Sequence, residues 1–246
     1  MSNLNPVAAI KTGWQCTKEN FIVSLGLVMA YIVVNTILSF ITGGVVGAVA
    51  QLLNFAFVMV WSLGMLRISL DVVDGEEPRF AVFKEVLPRM WQFLMLMVIM
   101  IAIMLLPIAV ILVVGAATCD ISLTTLAAQD LTAISTMSLW LLLAMLPLIY
   151  LSIRLLFAPY LLLDRGVGAV EAIKMAWKAS YPVQGRVFLF LLLSMLVSII
   201  GVICFIVGYF VAMVVIIYAQ AALYRQVFPA GIQDPLLVED TNVVVG

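Results

Sequence analysis

The sequence predicts an all-α, polytopic membrane protein with six transmembrane helices, arranged as three parallel units that each join an interfacial helix to a helical hairpin. Three observations lead there. Hydrophobic residues make up 65% of the chain and charged residues 10%. Soluble domains carry about 25% charged residues, so a soluble fold is excluded. Apolar runs fall at roughly 21–41, 45–68, 91–115, 139–163, 187–204 and 207–227, each about as long as a helix needs to cross a ~30 Å hydrocarbon layer. All twelve Lys and Arg residues can be threaded onto one side of that layer, as expected where basic flanks resist translocation and stay cytoplasmic.

The segment before the first run, Met1 to Asn20, is polar and lacks the short apolar core and small-residue cleavage site of a signal peptide. The first run is therefore expected to be a retained anchor, with both chain ends in the cytoplasm. Val7, Ile10 and Trp14 recur at helical spacing, with Lys11 at the edge of their face. This describes a short helix lying in the membrane interface, its Lys stem along apolar surface and its ammonium among headgroups. Pro6 suits its opening. The pattern returns as Phe80, Phe83 and Leu87 with Lys84, behind Pro78, and as Val170, Ile173 and Trp177 with Lys174, behind Gly168. Two apolar runs follow each, giving units at about 5–72, 78–163 and 168–228 within a single membrane domain, 1–228.

Inside the runs, Asn35, Gln51 and Asn54 are the deepest polar residues of the first hairpin, and Gln220 lies in the sixth run. Such amides bond across helices for about 0.6–2 kcal/mol, so a structural role is the first reading and a substrate site the second. Arg67, Arg154 and Arg225 lie in the even-numbered runs, one per unit, and Arg154 is the deepest, with 155–163 still to run before Asp164. An arginine there snorkels, pairs with a carboxylate such as Asp71, Asp74 or Asp164, or binds a lipid phosphate. Packed about one axis, the three would form a basic ring of the kind that holds anionic headgroups.

Pro107, Pro147 and Pro159 fall inside runs three and four, and Pro159, close behind Arg154, predicts a bend or unwinding there. Gly43 with Gly44, and the stretch from Gly201 to Gly208, predict tight outer turns. The joint from Ala116 to Ser138 carries the sizeable outer polar surface. The tail, 229–246, is acidic and reads as a flexible cytoplasmic end.

The chain has no His, which removes the commonest metal ligand and the commonest general base. No metal-ligand spacing, Gly-rich phosphate loop or nucleophile elbow occurs, and a net charge of −1 argues against nucleic acid as a partner. The expectation is no metal, no cofactor and no enzymatic activity. Cys16 falls on the cytoplasmic side. Cys119 and Cys204 fall near the outer face, where a disulfide and two packed thiols are the alternatives.

The stretch from Phe157 to Lys178, with Ala158, Pro159, Asp164, Glu171, Ala172, Ile173, Lys174 and Trp177, resembles the signature of a broad set of uncharacterised prokaryotic multi-pass integral membrane proteins. Ala222 to Val227, containing Tyr224 and Arg225, is similar to that group's closing motif. Ala9 to Trp14 and the turn from Asp74 to Pro78 also fit it. Its relatives include the membrane domain fused to some glycerophosphodiester phosphodiesterases. The resemblance implies a prokaryotic plasma (inner) membrane location and a loose association with membrane lipid metabolism. This chain carries no hydrolase domain, so that activity is not expected. The functional expectation is a non-enzymatic protein associated with anionic lipid, or an accessory or scaffold subunit for a membrane-protein partner. The alternative is a small transporter or lipid translocator with a site near Arg154 and Pro159.

Overall fold

The computed structural model describes residues 4–41, 43–118 and 131–229. Every regular element among them is helical: α1 (Pro6–Glu19), α2 (Phe21–Phe40), α3 (Gly44–Val73), α4 (Val82–Val86), α5 (Met90–Thr118), α6 (Leu131–Leu155), α7 (Ala158–Arg165), α8 (Ala169–Ser180), α9 (Gln184–Ile203) and α10 (Phe205–Val227). Six stretches among them are long and apolar enough to cross a membrane: Phe21–Phe40, Gly44–Val73, Val82–Ile111, Met145–Arg165, Ala169–Ile203 and Gly208–Val227. The chain is an all-α, multi-pass membrane protein. Cys119 and most of the outer joint that contains it lie outside the described residues.

Proline marks several boundaries, because it has no N–H to continue a helical ladder. The fourth span breaks between Leu155 and Ala158, and Pro159 sits in the first turn of α7. By contrast α5 and α6 run through Pro107 and Pro147. Pro78 opens no helix. α4 begins at Val82 and lasts five residues, after which Pro88 forces a 3-10 turn at Leu87–Arg89 that leads into α5. The second short helix is thus curtailed relative to its sequence pattern. α8 ends the same way, at Pro182 in the turn Tyr181–Val183 that leads into α9.

The described residues fall into two compact units, one within Met1–Val82 and Leu189–Gly246, the other within Phe83–Phe188. In the first, α10 packs against α1, α2 and α3. Asn5 caps α1, its side chain accepting from the Ala8 N–H at 3.1 Å with Pro6 following. Its backbone pairs with the Gln226 amide: the Asn5 N–H donates to Gln226 Oε1 (2.7 Å) and Gln226 Nε2 donates to the Asn5 carbonyl (3.3 Å). Two turns on, Gly13 lies against Val215 and Ala219, so α1 runs antiparallel along the last turns of α10. The buried hydroxyls of Ser24 on α2 and Tyr218 on α10 share a 2.7 Å hydrogen bond. At the far end α9 and α10 are joined through Cys204. Gly201 and Gly208 approach so closely there that a Cβ on Gly208 would stand 2.7 Å from the Gly201 carbonyl oxygen, the tight turn that the glycines predict.

In the second unit, α5 pairs with α6, and α8 packs on α5, α6 and α7. α7 is almost wholly buried through Ala158, Tyr160, Leu161, Leu162 and Leu163. Gly166, at φ +66°, closes it. The Arg89 guanidinium donates to the carbonyls of Leu163 (2.5 Å) and Leu162 (3.3 Å). A cation there satisfies the carbonyls that a helix end leaves unpaired.

Candidate functional site

The three Lys-bearing segments share one arrangement of exposure. Two and six residues beyond Val7, Phe80 and Val170, the pairs Ala9 and Gly13, Val82 and Val86, and Ala172 and Ala176 are buried. The apolar residues that define the sequence pattern face the other way. Val7, Phe80 and Val170 are exposed, as are Trp14, Leu87 and Trp177, while Ile10, Phe83 and Ile173 are half-buried. Lys11, Lys84 and Lys174 are exposed beside them, and Lys18 lies over the Trp14 ring, 5.3 Å from its centroid. The buried pairs pack against protein, and the amphipathic face is left to the surroundings.

The likeness of α1 and α8 extends further than the Lys pattern. Thr17 and Ser180, both buried, donate at 2.7 Å to the carbonyls of Gly13 and Ala176 four residues back. The offset relating Lys11 to Lys174 also relates these hydroxyls, a signal that hydrophobic spacing alone passes over. Cys16 belongs to the packed face of α1. Burial pushes its thiol above the usual range, and the charge of Glu19 adds to this, so it stays a protonated, unreactive thiol at neutral pH.

Two of the three arginines in the even-numbered spans are neutralised within the first unit. Arg67 Nε pairs with Asp71, one turn on, at 3.2 Å. Arg225 grips Asp74 with two parallel bonds, Nε to Oδ1 at 2.8 Å and NH2 to Oδ2 at 2.6 Å. The end of α3 presents that carboxylate. Gly75 (φ +87°) donates to the Val72 carbonyl and Glu76 donates to the Asp71 carbonyl, and this double bond pattern terminates the helix just beyond Asp74. Nearby, Arg79 pairs with Glu76 at 2.5 Å. Asp74→Asn keeps the shape but loses the charge-assisted fork. It is expected to cost about 1 kcal/mol, read as a lowered melting temperature in detergent, whereas Glu77→Gln, exposed and without an ion pair among the described residues, should change little.

Arg154, in the second unit, is different. It is 3% exposed, and no carboxylate among the described residues pairs with it. Its Nε and NH2 donate to the Tyr150 hydroxyl (3.1 and 2.8 Å), and NH1 donates to the Trp177 carbonyl (3.0 Å). The rings of Tyr150, Trp177 and Tyr181 stand 5.2, 4.8 and 5.0 Å from the guanidinium carbon. The Gln184 amide, turned in the orientation that satisfies both partners, brings its oxygen to 2.6 Å from NH2, 3.2 Å from NH1 and 3.1 Å from Nε. An acceptor in the guanidinium plane can face two nitrogens but not three, so this oxygen lies against the face of the cation. Ser180 donates to the Arg154 carbonyl at 3.2 Å and ties α8 to the same turn. The result is a buried cation whose contacts among the described residues are all neutral. Tyr150, Tyr181, Ser180 and Gln184 are members of this cluster that sequence reasoning did not single out.

The remaining residues are dispersed. Asn35 donates across the first hairpin to Asn54 Oδ1 at 3.4 Å. Gln51 is exposed, and no described residue hydrogen-bonds its amide. Gln220 is half-buried on α10. Asp164 is half-buried in the last turn of α7 and does not reach Arg154. Among the described residues no group of three or more Cys, Asp or Glu side chains could hold a metal ion. No protein-family model, curated protein or solved structure matches the chain.

Proposed function

We propose that this chain is a non-enzymatic protein of a prokaryotic plasma membrane, with both ends in the cytoplasm, that holds anionic lipid at its cytoplasmic surface through the three Lys-bearing segments. The observation that carries this reading is the exposure pattern. Three times, a pair of residues four apart faces the protein, small in two of the segments and valine in the third, while apolar side chains and a Lys face outward, the pairing that suits acyl chains and anionic headgroups together. Each Lys near a membrane surface attracts anionic lipid by about 1 kcal/mol, roughly a fivefold local enrichment. In vesicles of mixed composition, tryptophan emission is expected to be quenched more by brominated phosphatidylglycerol than by brominated phosphatidylcholine. Read from Trp14 with the other four tryptophans changed to Phe, the difference should vanish when Lys11, Lys84 and Lys174 are changed to Gln together, and a preference that survives this change defeats the reading.

The orientation has its own test. Cys204 is exposed in the turn between α9 and α10. In a Cys119→Ser protein, a membrane-impermeant maleimide added to intact cells is expected to label Cys204 and to leave the buried Cys16 untouched. Labelling only after lysis would reverse the orientation.

Two observations weigh on the other readings. The break in the fourth span is filled by Phe157, Ala158 and Leu161, all fully buried, which favours binding over transport along that helix. The exposed amide of Gln51 supports an accessory role, because an amide facing hydrocarbon finds its hydrogen-bond partner on another membrane helix.

A further inference from the structure

We propose that the Arg154 pocket is a phosphate site, covered by the Gln184 side chain until an anionic phosphate displaces it. The inference deepens the lipid-binding reading and depends on it only for the source of the phosphate. The cation is 3% exposed and its partners are all neutral, so a full positive charge is buried with no counter-charge among the described residues. Counting donors locates the open position. The Nε–H and one NH2 hydrogen go to Tyr150, and one NH1 hydrogen goes to Trp177. One N–H on each terminal nitrogen remains, and the acceptor in reach of both is the off-plane oxygen of Gln184. These two N–H groups are what the guanidinium has left to offer the oxygens of a phosphate.

The way in lies on the same side. Gln184 is half-buried and Tyr181 is 72% exposed, so these two side chains separate the guanidinium from the surface. Lys178 and Arg186 flank them in sequence and are exposed, drawing anions toward the opening. A buried charge of +1 with no counter-ion among the described residues selects a net anion over a zwitterion, so phosphatidylglycerol is favoured over phosphatidylcholine. Inorganic phosphate offers the same chemistry without acyl chains.

The test uses the full chain, delipidated in detergent. Native mass spectrometry follows added phosphatidylglycerol or phosphatidylcholine, and thermal melting follows added inorganic phosphate. Gln184→Ala removes the side chain that covers the cation. It is expected to raise the fraction carrying one phosphatidylglycerol by about tenfold, the scale of one charge-assisted hydrogen bond, with no gain for phosphatidylcholine. Adding Arg154→Met should cancel that gain. If phosphatidylglycerol shows no gain but inorganic phosphate raises the melting temperature of Gln184→Ala, and not that of the double variant, the site stands with free phosphate as its ligand. If Gln184→Ala folds and responds to neither ligand, or if the gain persists with Arg154→Met, the proposal is overturned. The protein with Lys11, Lys84 and Lys174 changed to Gln separates the two ideas: it should lose the preference for brominated phosphatidylglycerol and keep the Arg154-dependent lipid.

Discussion

Gly13→Ala is expected to destabilise the protein by about 1–3 kcal/mol, the usual cost of forcing an extra carbon into a packed interface. The added Cβ would stand 2.6 Å from the Val215 carbonyl oxygen, 2.8 Å from the Ala219 nitrogen and 2.9 Å from the Ala219 Cβ. Two of these are helical backbone atoms, which cannot swing aside as a side chain would. Relief would require α1 to move off α10, loosening the contact between Asn5 and Gln226 and the packing of Ala9, Cys16 and Thr17. Gly26 on α2 is the control, since a Cβ there meets nothing within 4 Å. Removing a mid-helix glycine lowers the entropy lost on folding by about 0.5–1 kcal/mol, so Gly26→Ala should melt higher than the native protein and Gly13→Ala lower. Equal shifts in detergent melting curves would mean that the close approach of α1 and α10 is not a feature of the folded protein.

The same contact explains what the sequence discloses and what it hides. The six crossings are legible because a hydrocarbon layer demands apolar runs of a set length, and polar joints interrupt them. The break at Pro159 and the tight turn between Gly201 and Gly208 are legible because each depends on the chemistry of one or two residues. The inward faces of α1 and α8 are not. In water, the apolar stripe Val7, Ile10 and Trp14 would be the buried one, but a membrane helix meets apolar surroundings on both sides. Its protein-facing side is marked instead by small residues that let backbones approach, here Ala9 and Gly13, and Ala172 and Ala176. Hydrophobic spacing finds the helix and cannot choose the face. The pairing of Arg225 with Asp74 is hidden for a different reason. It joins residues 151 positions apart, whereas the bond from Arg67 to Asp71 lies within one helical turn and can be read directly. Arg154 stands out in the sequence by its depth, but that its partners are neutral depends on how α8 and the turn at Tyr181–Val183 fold back onto α6, which no local spacing encodes.

Arg154→Ala and Arg154→Met are expected to separate the packing of that residue from its charge. Alanine leaves three aromatic rings facing a void and removes their stacking on the guanidinium, at a cost of about 2–4 kcal/mol. Methionine fills most of the same volume with a flexible chain whose sulfur packs well against aromatic rings. It also releases a buried charge that has no counter-ion among the described residues. Replacing buried charges by apolar groups of similar volume is often neutral or stabilising. The groups left behind are not fully enclosed: Tyr150 is 43% exposed and Gln184 is half-buried. Arg154→Met should therefore melt within about 1 kcal/mol of the native protein, or above it, while Arg154→Ala melts well below. Arg154→Lys should resemble alanine more than methionine, since a compact ammonium neither stacks on three rings nor reaches Tyr150 and Trp177 with a rigid fork. A methionine variant as unstable as the alanine variant would make the cation itself the clasp between α6 and α8. A stable methionine variant would mean that the charge is kept at the expense of stability, as expected of a residue retained for an anion rather than for the fold.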